Sequence, residues 1–313
     1  AVRAVGGEIT HELGIIDAVG ARMTTAERAR LERDGRVRRI YDDGVADVAG
    51  PTVDTAYPTL VGAATLHAQG RKGRSVTVAV LDTGFWKHSD LIDDSSTQFR
   101  VRAQYDVIRH RLDPSSYASG DYQQDIGDLS GHGTHVTAIL VSRATNGGRY
   151  NGIAPDAGLV LVKAFNPDGR GTYADVIRGI DWIVAKKNTY GIRVLNCSFS
   201  APVRSHYWDD PLNQAIMKAW RAGIVVVASA GNTGPNPMSV GVPGNNPYVI
   251  TVGAMTDNYT PSNGADDRLA SFSATGPTYE GFVKPDLVAP GGHMVALSTK
   301  DGLLPRTYRQ FLT

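Results

Sequence analysis

Val76-Thr77-Val78-Ala79-Val80-Leu81-Asp82-Thr83-Gly84 is the stretch that decides the fold of this chain. An almost unbroken run of apolar, β-favouring side chains stops at an acid and a turn pair. A strand with one wet face would alternate, so an unalternating run suits a parallel strand buried on both faces. Working outward, Leu159 to Phe165, Val194 to Phe199, Ile224 to Ser229 and Tyr248 to Val252 repeat the theme. Helical stretches lie between them. Val176, Ile177, Ile180, Ile183 and Val184 fall on one helical face, and Asp210-Pro211 opens a second helix that Gly223 closes. Strands alternating with helices predict an α/β fold, a parallel sheet covered by helices on both faces. Functional loops in such sheets sit at the carboxyl ends of the strands. That rule singles out Asp82, the segment after Ser198, and Gly231-Asn232.

The first 47 residues read differently. Arg22, Arg28, Arg30, Arg33, Arg36, Arg38 and Arg39 form a dense basic run, and Thr24-x-x-Glu27 is a capping box opening a short helix that ends near Gly35. Ile9 to Val19 and Arg36 to Tyr41 are expected to be strands. The stretch from Asp42-Asp43-Gly44 to Gly50-Pro51 is the expected boundary, giving a small α+β unit over 1–47 and a large domain over 48–313. The small unit has too little apolar surface for a large core of its own.

Composition narrows the function. The 313 residues carry 32 Lys+Arg against 31 Asp+Glu, a net charge of +1, which gives no support to a nucleic-acid partner. No apolar run approaches the ~18 residues of a membrane span; Gly223 to Ala230 is among the longest. A single cysteine, Cys197, excludes an internal disulfide and reads as buried packing. Thirty-five glycines exceed the usual ~7% and imply many tight turns and close backbone approaches. Ala1 to Gly7 holds no apolar core of the kind a secretory signal needs.

Three residues carry chemistry. Asp82 ends a strand, where an acid serves equally as a cap or a catalytic group. His132 lies in Gly131-His132-Gly133-Thr134-His135 at a helix entrance, where glycines admit close backbone approach. The His132-x-x-His135 spacing lacks the glutamate of the zinc-peptidase helix, which argues against zinc. Asn232 follows a buried strand and either caps a turn or offers its NH2 to an oxyanion. Asp121, Asp125 and Asp128 are expected to form a solvated acidic loop.

In this order, the three motifs resemble those of the subtilisin-like serine peptidases. Lesser landmarks extend the resemblance from about Val53 to Gly292: Gly152-Ile153-Ala154-Pro155, Leu195-Asn196-Cys197-Ser198, Val252-Gly253-Ala254, Ser271-Phe272-Ser273 and Lys284-Pro285-Asp286-Leu287-Val288-Ala289-Pro290-Gly291. The resemblance implies a subtilisin-like fold and hydrolysis of protein or peptide substrates. It makes His132 the base, Asp82 its orienting partner, Asn232 the oxyanion donor and His135 a structural histidine. Ser198, Phe199 and Ser200 match the edge strand to which an extended substrate adds. Ser229, Ala230, Gly231 and Gly241 match walls of the pocket before the scissile bond; no acid among them favours basic side chains. Ser200 stands where many relatives have Gly. Asp90 and Asn146 match ligands of a structural calcium in some relatives; the chemistry itself needs no cofactor.

The family's Gly-Thr-Ser-Met-Ala motif, which carries the nucleophile, is not in the 313 residues, and neither Ser273 nor Ser298 replaces it. The expectation is a chain cut before its serine, inactive as it stands; the alternative is a catalytically dead peptide-binding domain. The resemblance also makes the 1–47 unit part of a prodomain that inhibits by laying a strand in the cleft. It further implies a secreted, monomeric zymogen with no membrane partner.

Overall fold

The computed structural model describes residues 1–43, 45–48, 57–113, 126–146, 149–258, 260 and 264–312, with the backbone alone for 45–48, 111–113 and 146. The chain opens with α1 (Val2–Val5), a hairpin of β1 (Glu8–Leu13) and β2 (Ala18–Arg22), and α2 (Thr25–Leu31). The capping box forms as expected: Thr24 Oγ1 accepts from Glu27 N–H at 3.3 Å, and Thr24 N–H donates to Glu27 Oε2 at 2.6 Å.

Arg36 to Tyr41 does not form the expected strand. Arg36 instead clasps Asp34 at 2.7 Å, while Arg39 pairs with Asp209 at 2.6 Å and Tyr41 Oη donates to the Asp209 carbonyl at 2.5 Å. Side-chain partners on the large domain take up this segment, and the strand comes later, as β3 (Val45–Val48). Leu13 and Ile15 are buried in the same cluster as Ile177, Ile180, Leu212 and Ile216, so the small unit borrows its core from the large domain.

The rest begins with α3 (Tyr57–Leu60), α4 (Ala63–Ala68), β4 (Thr77–Asp82), α5 (Ser89–Ile92), β5 (Val101–Asp106) and β6 (Arg111–Asp113). It continues through α6 (His132–Val141), β7 (Thr145–Asn146), β8 (Arg149–Tyr150), β9 (Gly158–Lys163), β10 (Arg170–Thr172) and α7 (Tyr173–Tyr190). β11 (Ile192–Cys197), β12 (Phe199–Ser200), α8 (Pro211–Arg221), β13 (Val225–Ser229), β14 (Ile250–Thr256), β15 (Arg268–Leu269), β16 (Leu287–Pro290) and α9 (Leu303–Thr307) complete it.

Among the described residues, nine strands form the central sheet in the order β6-β5-β9-β4-β11-β13-β14-β15, with β16 also pairing β14. All pairs are parallel except those of β6 and β15. Every residue of β4 is buried, as its continuous apolar run requires. Its alternate side chains serve two cores. Ala79 and Leu81 pack with Ile177, Ile180 and Ile183 of α7 and with Leu212 and Ile216 of α8. Val78 and Val80 pack with Ala138 and Val141 of α6. Each fully buried Val, Leu or Ile side chain among them contributes about 1.5–3 kcal/mol of apolar burial. Thr172 caps α7 by accepting from Asp175 N–H, and Gly191 ends it at φ 65°. The parallel order brings the carboxyl ends of β4, β11 and β13 to one edge, ~4.8 Å apart from strand to strand.

Candidate active site

Asp82 stands last on β4 and His132 first on α6, and both are buried. His132 Nδ1 lies 2.7 Å from Asp82 Oδ1. A carboxylate only accepts, so Nδ1 carries the proton and Nε2 is left as the basic nitrogen. Asp82 Oδ1 also accepts from Thr83 N–H at 2.7 Å, which holds the carboxylate still. This pairing of a strand end with a helix start is the one anticipated from the motifs.

The close approach demands glycine on both sides. Gly84 has φ 130°, and a Cβ there would run into the Gly127 carbonyl oxygen. A Cβ on Gly133 would meet the Gly84 carbonyl oxygen. His135, one turn into α6, donates through Nε2 to the Met294 carbonyl at 3.2 Å. Burial, followed by the neighbouring His132, pushes its pKa down to about 4, so it stays neutral and structural.

Asp128 corrects the expectation of a solvated acidic loop; Asp121 and Asp125 lie outside the described residues. Asp128 is buried, because its carboxylate collects five hydrogen bonds from the turn after β4 and the first turn of α6. A signal was present in Asp128-x-x-Gly131: an acid just before a helix start is placed to accept its free N–H groups.

The residues expected to form a substrate edge lie on a short strand that already has a partner. β12 carries Phe199 and Ser200, and β3 pairs antiparallel with it, Val48 opposite Phe199 and Asp47 opposite Ser200. On its other side β3 pairs with β10, Asp47 opposite Arg170 and Val45 opposite Thr172. β3, at the expected boundary of the two parts, thus lies as a middle strand between β10 and β12. The Phe199 side chain is fully buried, tilted on Phe165 at 5.0 Å between centroids, so this residue offers the edge its backbone and not its ring. Ser198 Oγ accepts from Asn196 Nδ2 at 2.9 Å. Ser229 Oγ donates to the Phe199 carbonyl at 3.0 Å, tying the end of β13 to the edge strand.

Gly231, Gly241 and Ser200 meet: a Cβ on Gly231 would lie 2.8 Å from Ser200 Oγ, and one on Gly241 would collide with the same oxygen. Ala230 receives the Gly241 N–H at 3.1 Å, which closes that wall. Asn232 follows Gly231 (φ 106°) and is exposed. Cys197 is buried, and burial, with Asp82 nearby, pushes its thiol pKa up, as packing rather than reactivity requires.

Asp90 is flanked by Arg143 Nε at 3.7 Å and His88 Nδ1 at 3.6 Å, and the Asn146 side chain lies outside the described residues. Among the described residues no group of three or more His, Cys, Asp or Glu side chains is arranged to hold a metal.

Comparison with known proteins agrees with this geometry. The model of the Subtilase family matches residues 73–312. The chain is 37% identical over 246 residues to the serine protease AprX of Bacillus subtilis, covering 77% of this chain and 51% of that protein. It is 31% identical over 288 residues to subtilisin E of Bacillus subtilis, covering 91% of this chain and 65% of that protein. The chain thus spans about half to two thirds of the length of these relatives. Among solved structures, the CspB protease of Clostridium perfringens shares the fold with a TM-score of 0.66 at 18% identity, over 77% of this chain and 82% of that one. With the family match spanning most of the large domain, this chain belongs to the subtilase family, the subtilisin-like serine peptidases.

Proposed function

We propose that the chain is the main part of a serine endopeptidase made as a zymogen, with Asp82, His132 and Asn232 as three of its four chemical groups. The buried 2.7 Å pair of His132 and Asp82 beside an edge that already holds an extended strand carries this reading. His132 Nε2 would take the proton of a serine hydroxyl as the oxygen attacks the peptide carbonyl. The Asn232 NH2 would meet the developing oxyanion, a contribution of ~3–4 kcal/mol in acyl transfer. His132 would then pass the proton to the leaving amine, and water would release the acyl group by the same route. Asp82 stabilises the imidazolium in both steps.

The nucleophile is proposed to follow Thr313 in a Gly-Thr-Ser motif. Ser298 and Ser273 support this by being committed elsewhere: Ser298 Oγ donates to the Gly131 carbonyl at 3.0 Å, and Ser273 Oγ accepts from Ala254 N–H at 3.0 Å. The gene product extended past Thr313 should be labelled by a serine-directed phosphonate, and His132→Ala should abolish labelling. Persistent labelling in that variant would remove His132 from its role.

The N-terminal unit is proposed to be part of a prodomain whose β3 blocks the cleft until it is cut away. The antiparallel register of β3 on β12 supports this, as does a likeness to subtilisin E that reaches beyond the family match. A peptide covering residues 36–48 should inhibit the matured enzyme, and N-terminal sequencing should find the mature start within 49–56. Export fits a peptidase made in blocked form, and activity of the extended protein should appear in the culture medium as a monomer. No described helix is long and apolar enough to cross a membrane.

A further inference from the structure

The mechanism above uses Asp82 and His132 and leaves unexplained the most heavily bonded carboxylate beside them. Asp128 Oδ1 accepts from Thr83 Oγ1 at 2.9 Å, Ser130 N–H at 3.1 Å and Gly131 N–H at 2.9 Å. Oδ2 accepts from Thr134 N–H at 2.9 Å and Thr134 Oγ1 at 2.7 Å. An ionised carboxylate is acceptor-only, so both threonine hydroxyls must point their protons at it. Their lone pairs are then aimed outward. Thr83 Oγ1 accepts from Gly133 N–H at 2.9 Å, and Thr134 Oγ1 accepts from Trp86 N–H at 2.9 Å.

The two relays run in opposite directions between the same segments. One joins the turn after β4 to the backbone next to His132; the other joins the first turn of α6 to the chain just past that turn. Behind them, Lys163 Nζ at the end of β9 donates to the Gly127 carbonyl at 3.1 Å and to the Ile126 carbonyl at 3.4 Å, which fixes the loop that presents Asp128.

We propose that Asp128 is a positioning residue. By polarising Thr83 and Thr134 it sets the distance and angle at which the His132 imidazole meets Asp82. The role rests on the pairing of His132 with Asp82 given above, though not on the serine. An amide cannot take its place. Whichever way the side chain of the Asp128→Asn variant turned, its NH2 would face backbone N–H groups: those of Ser130 and Gly131 on one side, that of Thr134 on the other.

The test is nuclear magnetic resonance on the 313-residue chain, following the far-downfield proton shared between His132 Nδ1 and Asp82. Asp128→Asn should lose that resonance or broaden it by exchange. Ile183→Ala, a buried truncation on α7, should lower stability and keep the resonance, which separates positioning from general loosening. If Asp128→Asn does not fold, Thr83→Val serves: it removes one relay at constant shape and should shift and broaden the same proton. An unchanged resonance in a folded Asp128→Asn, or in Thr83→Val, overturns the proposal. Absence of the resonance in the unaltered chain would remove the pair itself, and the role with it. Failure of phosphonate labelling in the extended protein would instead count against the peptidase reading alone.

Discussion

Asp210 gives the sharpest quantitative test of the packing. It caps α8 by accepting from Asn213 N–H at 2.8 Å, and it is 2% exposed. Two effects compete there. The helix N-terminus and the bond from Asn213 favour the anion, whereas burial favours the neutral acid. Burial wins, pushing the carboxyl up to about 6 from 3.8. Between those values the folded chain holds a proton that the unfolded chain has released. The associated stability is full below the unfolded pKa and is lost as pH rises through about 6. About two units at 1.36 kcal/mol each make that loss about 3 kcal/mol. Asp210→Asn keeps an acceptor for Asn213 N–H and cannot ionise. The difference in urea-unfolding free energy, variant minus parent, should therefore grow by about 3 kcal/mol in the variant's favour from roughly pH 3 to 7. A difference that stays flat with pH would mean that Asp210 remains ionised in the fold, and would refute the claim that burial prevails.

Gly84→Ala should cost about 2–5 kcal/mol in thermal or urea unfolding, from ~1–2 for a left-handed residue and ~1–3 for overpacking against Gly127. A loss near zero would show that the turn can open without strain. His11 Nε2 bonds Asp175 Oδ1 at 3.0 Å across the boundary between the N-terminal unit and α7. His11→Ala should therefore speed hydrogen exchange in β1 and β2 roughly fivefold, for a bond worth ~1 kcal/mol. If Asp90 helps to hold a structural calcium, a chelator should lower the melting temperature and Asp90→Ala should reduce that difference; an unchanged melting temperature would remove the cation.

The parts of the fold that could be read beforehand are those whose residues state their burial. β4 and β9 are parallel strands buried at every residue, and such strands need apolar side chains almost throughout. Asp82 and His132 were legible through the order of the motifs that hold them, since an acid at a strand end serves alone equally well as a cap. Arg36 to Tyr41 misled because Val37, Ile40 and Tyr41 favour a strand, while its charges are satisfied by Asp34 and Asp209, and Asp209 lies far along the chain. β3 becomes a strand only because β10 and β12 offer it two edges. The ring of Phe199 belongs to the core beneath the edge, which the sequence around it does not announce. Asp128 stands three residues before Gly131, a capping signal that a buried acid and a solvated one share. Its burial depends on the turn after β4 folding over it.

The middle strand between β10 and β12 has a consequence for target choice. A cleft that grips its occupant by main-chain bonds on both sides asks first for a length of chain free of its own secondary structure, and only then for particular side chains. On the proposed reading, whether a protein is cut would depend on what it costs that protein to release a few residues from its own fold. Two targets with the same local sequence would differ in rate by about tenfold for every 1.4 kcal/mol of difference in that opening. The cleft would act as a gauge of local stability in its targets before it reads their sequence.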